Sequence, residues 1–403
     1  MPLVLYDDRA ARAFEPFALT RPAGELRAGG EITRRRWEQV LGATATGFVG
    51  AEHLARFEEL DAPPAATGPL AAGTWLVNAR CAPVLTARVD GATRVVRVGG
   101  RVAAIRLAAA LPLERLAAGD TSLDALANTD DRAPTDGDAT VDGWWMDQVW
   151  DLVRHLNLML TSDALALSPA TLEVPPHVTV LGAHPVHIDI SAHVEPLVVI
   201  DASAGPVLVR RGATVQAFTR LVGPCIIGEG ATVSGGRVAA CSIGERVKVN
   251  GEISSSIMIG HCNKGHDGFV GHSVIGRWAN LGANTVTSNL KNSYGTVQLW
   301  TPRGIEETGL QFLGSMIGDH VKTGIGTRLT TGCVLGAGAN VFGTAMPPKV
   351  VAPFAWGEAP SWGTFALDKF LEVTQRVMAR RDVALGNGMR ACLTAAYAAR
   401  WSA

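Results

Sequence analysis

Residues 315–341 read SMIGDHVKTGIGTRLTTGCVLGAGANV. Ile317, Thr323, Leu329, Leu335 and Val341 recur at every sixth position, and glycine follows Ile317, Thr323 and Leu335. A six-residue period fits neither the 3.6-residue helix nor the two-residue alternation of a half-buried strand. It is the hexapeptide repeat of a parallel β-solenoid, where each hexapeptide makes one flat side of a triangular prism. The aliphatic residue points inward, small residues turn the corners, and three sides close a coil. Stacked coils bury one continuous aliphatic column.

The same phase runs upstream through Ile243 and Val249, then Ile275, Leu281 and Thr287, and the solenoid texture begins near Pro175. Two stretches break it. GHCNKGHDGFVGHSV (260–274) interrupts the period between Ile259 and Ile275. SNLKNSYGTVQLWTPRGIEETGLQFLG (288–314) reads as a loop thrown out of the prism. Breaks in a rigid scaffold are where function tends to sit. After PPKVVAPFAWG, the run from Leu367 to Ala399 has a helical pattern, and a helix covering the open end of the solenoid is the expected remedy for an exposed sheet edge.

The first ~165 residues differ in texture. PLVLYD, TGFVG, GTWLVNA and TRVVRVGGRVAAIRL read as strands, and GEITRRRWEQVLG as a helix with a glycine stop. Strands alternating with helical patterns predict an α/β domain with a mostly parallel sheet. TSLDALANTDDRAPTDGDATVDGW is polar and reads as a surface excursion, and WDLVRHLNLMLTSDAL as a helix leading to the second domain. The expected organisation is an α/β domain over 1–165, a left-handed parallel β-helix over 166–360 and a helical tail over 361–403. Period alone does not set the hand.

The 403 residues suit two domains, and 47% hydrophobic with 18% charged residues supports a sizeable core. A formal net charge of −1 gives no electrostatic footprint for nucleic acid. Cys81, Cys225, Cys241, Cys262, Cys333 and Cys392 form no CxxC pair, which argues against a zinc or redox motif. No apolar run approaches the ~20 residues that span a bilayer. The opening MPLVLYDDRAARAF turns acidic too early for a signal peptide, so a cytoplasmic location is expected.

KGHDGFVGHSVIGRWANLGANTVTSNLKN (264–292) resembles the acetyltransferase half of the bifunctional N-acetylglucosamine-1-phosphate uridyltransferase/glucosamine-1-phosphate acetyltransferase family. That family's G-H-x-x-Y-x-G-D…N-x-G-A-G-T-x-x-x-N pattern appears as Gly265-His266, Phe269, Gly271, Asn280, Gly282-Ala283-Asn284-Thr285 and Asn289. The N-terminal LYDD…FALTRPAGELRAGG…RRRWEQVLG resembles the sugar nucleotidyltransferase branch of the same group, so that a nucleotidyltransferase-like N-terminal domain is implied. The resemblance implies a homotrimer, a sugar phosphate acceptor and acetyl-CoA as co-substrate. It implies His266 as the base, Asn280 beside it, and Phe269, Asn289 and Lys291 as substrate contacts. It places acetyl-CoA against Ala283, Ile325 and Gly343. A histidine suits this chemistry because an amine must lose a proton to attack a thioester, and imidazole titrates near neutrality. By residue type alone, His266 also reads as a solvated loop histidine, and Asn284 as a corner residue in a left-handed turn.

The chain departs from the family at several positions. Phe269 replaces a tyrosine, and GEISSSIMIG stands where relatives carry lysines for the sugar phosphate. The family's Gly-rich triphosphate loop is missing after the first strand. Its nearest analogue is Arg21-Pro22, Gly24, Arg27 and Gly29, which reads equally as an ordinary basic loop. Asn78, in WLVNARCAP, stands where an aspartate would anchor Mg²⁺. No resident metal is assigned, and Mg²⁺ enters only if the N-terminal domain is active. The leading expectation is N-acetylation of an amino-sugar 1-phosphate. Its rivals are nucleotidyl transfer from UTP or dTTP to a sugar 1-phosphate, with Arg21, Arg27 and Asn78 at the nucleotide, and a non-catalytic scaffold.

Overall fold

The computed structural model describes residues 1–128, 137–168 and 174–402. Contacts within the chain form two compact units. The first comprises residues 1–14, 18–151 and 385–399, and the second residues 15–17, 152–384 and 400–403.

The first unit is built on a six-stranded sheet ordered Thr44–Val49, Pro2–Tyr6, Trp75–Asn78, Arg101–Arg106, Val95–Val98, Asp138–Thr140. The first three strands are mutually parallel, while Trp75–Asn78 and Val95–Val98 each pair antiparallel with Arg101–Arg106. The antiparallel hairpin turns at Gly99 and Gly100, both at positive φ (56° and 78°), as a two-residue turn with the right twist requires. The helix Thr33–Leu41 stops at Gly42, which is left-handed (φ 55°). Part of the polar stretch 121–144 lies outside the described residues. Its described part holds ordered elements, the helix Leu123–Asn128 and the strands Asp138–Thr140 and Gly143–Trp145.

The second unit is a parallel β-solenoid with three vertical sheets. Side one is a nine-stranded parallel sheet. Its inward residues stack in one file: Ile227 on Ile243, Met258, Ile275, Ile317, Leu335 and Val351. Side two stacks Val194, Val215, Val233, Val249 and Lys264, and side three includes Ile253 on Val270 and Thr287 on Leu329. Every in-phase residue read from the sequence is buried, Thr287 and Thr323 included. The glycines after them are required by the stacking. A Cβ on Gly318 would lie 2.7 Å from Ala337 N, and one on Gly336 would lie 2.3 Å from Pro353 N.

Two expectations are corrected. The first interruption is not a break: strands Asn263–Lys264, Phe269–Gly271 and Val274–Ile275 continue the coil, and a lysine at the inward position hides the period. The second is a genuine excursion, carrying the hairpin Gln298–Thr301/Gly304–Glu307. The helical tail does not close the solenoid's end as one piece. Helix Leu367–Ala379 runs down the corner between sides one and two. Phe370 packs on Phe354 (5.0 Å) and His320 (5.8 Å), and Arg381 just beyond the helix reaches Arg246 O (3.3 Å). An antiparallel hairpin, Ala355–Glu358 with Ser361–Thr364, ends side two instead. Helix Asn387–Ala399 belongs to the first unit, where the Glu58 carboxylate accepts from Gly388 N (2.6 Å) and Met389 N (3.3 Å). A Cβ on Gly388 would lie 2.9 Å from Glu58 Cβ and 3.0 Å from Arg56 O, a close approach that favours glycine. No helix among the described residues is long and apolar enough to cross a membrane.

Leu329, 3% exposed, tests the register. Truncation at such a site alone costs about 2–5 kcal/mol, and Leu329→Asp adds an unpaired buried carboxylate. Circular dichroism should show the solenoid's melting transition lost or strongly lowered. A variant melting like the wild type would show that the inward file is misplaced.

Candidate functional site

The solenoid turns many of its corners through a left-handed residue. Between sides two and three the turns are Gly251, Gly268, Asn284 and Gly326, with φ of 90°, 139°, 58° and 73°. Asn284 N donates to Asp267 O (2.8 Å) and Gly326 N to Ala283 O (2.8 Å), so the turns stack directly. His266, Ala283, Ile325 and Gly343 therefore share one vertical corner. Ile325 is 79% exposed there. Gly343 is exposed as well, beside the Glu358 carboxylate.

Three histidines of this region have different settings. His261 is buried, tilted against Trp278 (4.6 Å), with Arg277 Nη1 3.2 Å from its Nδ1; the same guanidinium pairs with Glu245 (2.6 Å). His272 stacks on Phe312 (5.2 Å), and its Nδ1 lies 2.9 Å from Asn289 Nδ2. Burial lowers the pKa of His272. His266 sits on an exposed bend, and among the described residues its ring contacts no hydrogen-bonding, charged or aromatic partner. It is the most exposed of the three.

Asn280 lies on side two, pointing out, with Oδ1 accepting from Asn263 Nδ2 (2.7 Å). Lys322 is its register neighbour above. Phe269 begins side three, and Asn289 stands at the far corner of that side in the next coil. The Phe269 ring and the Asn289 amide meet over Gly271, where a Cβ would lie 2.5 Å from each. Lys291 follows, half-buried, at the start of the excursion. One chain thus groups His266 with Asn280, Ala283 and Ile325 around one corner, and Phe269 with Asn289 and His272 toward the next. It does not gather His266, Asn280 and Asn289 at a single seam, because the width of side three separates the two corners.

The first unit arranges its charges otherwise. Arg21 is 1% exposed and pairs with Glu59 through both terminal nitrogens (2.9 and 3.4 Å). Arg27 is 2% exposed and donates to Gly30 O (2.7 Å). Both side chains are consumed inside the unit, so the expected grip on a triphosphate is not on offer from them. Asn78 does stand at the C-terminal end of a central strand, where open α/β sheets bind ligands. Its Nδ2 donates to Asp8 Oδ2 (2.8 Å), and its Oδ1 accepts from Arg80 N (3.0 Å). Arg80 in turn grips Asp8 (2.7 and 2.8 Å) and Asp147 (2.8 Å). This Asp8–Asn78–Arg80–Asp147 cluster escaped the sequence reading. The signal was the acidic pair closing the first strand.

Neighbouring Asp7 is 2% exposed, with Oδ2 accepting from Ala23 N (3.1 Å) and Oδ1 lacking a hydrogen-bond partner among the described residues. Burial raises its pKa to about 7. The donors do not compose a divalent-cation site. Asp8 is spent on Arg80, Asp7 resists ionising, Asn78 is neutral, and no group of three or more His, Cys, Asp or Glu among the described residues could hold a metal.

Residues 3–169 match the family model described as sugar nucleotidyl transferase. The bifunctional protein GlmU of Methanococcus vannielii is 34% identical over 98 residues, which is 24% of this chain and 23% of that protein. The bifunctional sugar-1-phosphate nucleotidylyltransferase/acetyltransferase of Sulfurisphaera tokodaii is 32% identical over 91 residues, 23% of each chain. The bifunctional protein GlmU of Methanocaldococcus jannaschii is 33% identical over 92 residues, 21% of this chain and 22% of that protein. The chain spans under a quarter of the length of these relatives in the matched stretches.

Asp7 gives a signed pH dependence. Its folded pKa of about 7 exceeds the unperturbed 3.8, so between those values the folded state holds more proton than the unfolded one. Its contribution to stability therefore falls as pH rises from about 4 to about 7. Asp7→Asn removes this decline. The difference in unfolding midpoint, wild type minus variant, should move against the wild type between pH 5 and 8, and a constant difference would refute the assignment.

Proposed function

We propose that the solenoid transfers an acetyl group from acetyl-CoA to the amine of an amino-sugar 1-phosphate, in the making of a nucleotide sugar of the UDP-N-acetylglucosamine kind. The observation that carries this reading is the free imidazole of His266, exposed on a corner that continues upward through Ala283 and Ile325. A thioester arm laid along that corner meets main-chain groups and the Ile325 side chain. His266 takes a proton from the sugar's ammonium, the amine attacks the thioester carbonyl, and the C–S bond breaks as the CoA sulfur leaves with a proton. Backbone N–H groups of the stacked coils are suited to the oxyanion. Asn280 offers a donor and an acceptor for the forming amide. A homotrimer setting one chain's Asn289 corner against its neighbour's His266 corner would bring Asn289, Phe269 and Lys291 to the same substrate, with Lys291 facing its phosphate. Acetyl-CoA and a sugar phosphate suit a cytoplasmic setting.

His266→Ala should lower acetyl transfer to glucosamine 1-phosphate by roughly 10²–10⁴, with melting temperature and oligomer size near wild type. His261→Ala, which disturbs a buried contact, should cost stability, and His272→Ala should lower activity far less than His266→Ala. Equal losses in all three would make His266 structural.

A second reading rests on the match of residues 3–169: the first unit is a sugar-1-phosphate nucleotidyltransferase. The internal pairing of Arg21 and Arg27 weighs against efficient turnover there. Pyrophosphate release from UTP or dTTP with a sugar 1-phosphate should therefore stay below ~1 s⁻¹, the lower end of ordinary enzyme turnover. A faster rate would establish nucleotidyl transfer and, with Mg²⁺ dependence, a cation carried in by the nucleotide.

A further inference from the structure

Side two carries an aliphatic residue at its inward position in coil after coil: Val215, Val233 and Val249 below, Leu281 above. At the level between them stands Lys264, 0% exposed. A valine or leucine there would continue the column without taking an ammonium out of water, which is costly. The ammonium does not leave the prism. Its Nζ turns beneath the adjoining corner and donates to the main-chain oxygens of Asp267 (2.8 Å) and His266. Gly268 makes room for it, since a Cβ there would lie 3.1 Å from Nζ. The same turn is held from the coils on either side. Asn250 Nδ2 donates to Asp267 Oδ1 (3.2 Å) and Asn284 N to Asp267 O (2.8 Å). The stacked turns at Gly251, Asn284 and Gly326 close through a left-handed residue with no buried cation at their inward position.

We infer that Lys264 is a positioning residue for His266, fixing from inside the prism the turn that presents the imidazole to substrate; this rests on the acetyl-transfer reading above. The His266 carbonyl receives a charged donor, and the Asp267 carbonyl, which also accepts from Asn284 N, receives a second bond from the same ammonium. With their oxygens tied inward, the peptide planes at 266 and 267 lose their freedom, and the His266 side chain leaves the corner in one direction. Burial lowers the ammonium's pKa to about 8, as expected for a cation without a carboxylate partner at bonding distance. An offset of about 1 Å in a reacting group can cost ~10²-fold in rate, so a fixed turn matters to a base that must meet an amine.

The test compares full-length Lys264→Met and Lys264→Arg with the wild type by three measurements. Lys264→Met should melt near the wild type, because relief from burying an ammonium offsets the donor lost to the His266 carbonyl. Hydrogen exchange without substrates, read on peptides covering 265–270, should quicken about tenfold, while peptides of the coils above and below stay unchanged. The kcat for glucosamine 1-phosphate should fall roughly 10–100-fold with little change in KM for acetyl-CoA, and Lys264→Arg should recover part of it. Unchanged exchange at 265–270 overturns the inference whatever the activity. Faster exchange across all coils with a lowered melting point also overturns it, since Lys264 then only supports the column. A wild-type protein that transfers no acetyl group overturns the reaction instead, and the exchange result alone then decides whether Lys264 sets the turn.

Discussion

The solenoid depends on one constraint: each coil must lay its backbone directly on the coil below, with hydrogen bonds between them and the inward side chains of each side filling the interior. Aliphatic residues meet that demand without further help. Polar ones enter only where their groups find partners. Thr287 Oγ1 accepts from Gly271 N (3.0 Å), and Thr323 Oγ1 accepts from Gly282 N (3.0 Å) and pairs with Thr285 (2.8 Å). Lys264 follows the same rule with two main-chain carbonyls. Because the inward file fixes the register, every outward residue inherits a defined height and side. That is how His266, Ala283 and Ile325 come to share a corner although 59 residues separate the first from the last.

Both units draw cations inside, and the solenoid, which buries Lys264 and Arg277, also keeps the His266 imidazole exposed. In the first, arginines are drawn inside: Arg21 on Glu59, Arg34 on Glu25 (2.5 Å), and Arg36 on the oxygens of Ala28 and Pro83 (2.9 and 3.0 Å). Such buried cations are costly to desolvate, and removing a partner would leave an uncompensated charge inside the unit. The solenoid leaves its imidazole free and holds it with main-chain stacking. A rigid scaffold of this kind asks for little reorganisation when a proton moves.

The six-residue phase from Ile317 to Val341 was fully legible, since a narrow prism tolerates few alternatives at those positions. His266 is singled out by its motif rather than its type; the two other histidines nearby differ from it only in what they touch. The coil at 260–274 was misread because Lys264 occupies an aliphatic position, and a periodicity argument counts only apolar residues. Arg21 and Arg27 looked available because Glu59 lies 38 residues from Arg21 and the Gly30 carbonyl carries no sequence signal. The path of the tail was hidden for the same reason. Its two helices share one amphipathic texture, yet Phe370 finds Phe354 and His320 while Gly388 finds Glu58.

The contact between Glu58 and the helix Asn387–Ala399 also orders events in time. A ribosome delivers the strands of the first unit before any coil of the solenoid. The helix that those early residues cap arrives only after the last coil has been made. Until then Glu58 waits without the N–H groups it receives in the finished fold, and the earliest-made unit is among the last to be completed. Each molecule whose first unit is whole has therefore already been read through its solenoid, so the seam at Glu58 works as a proof of full translation of the segment between.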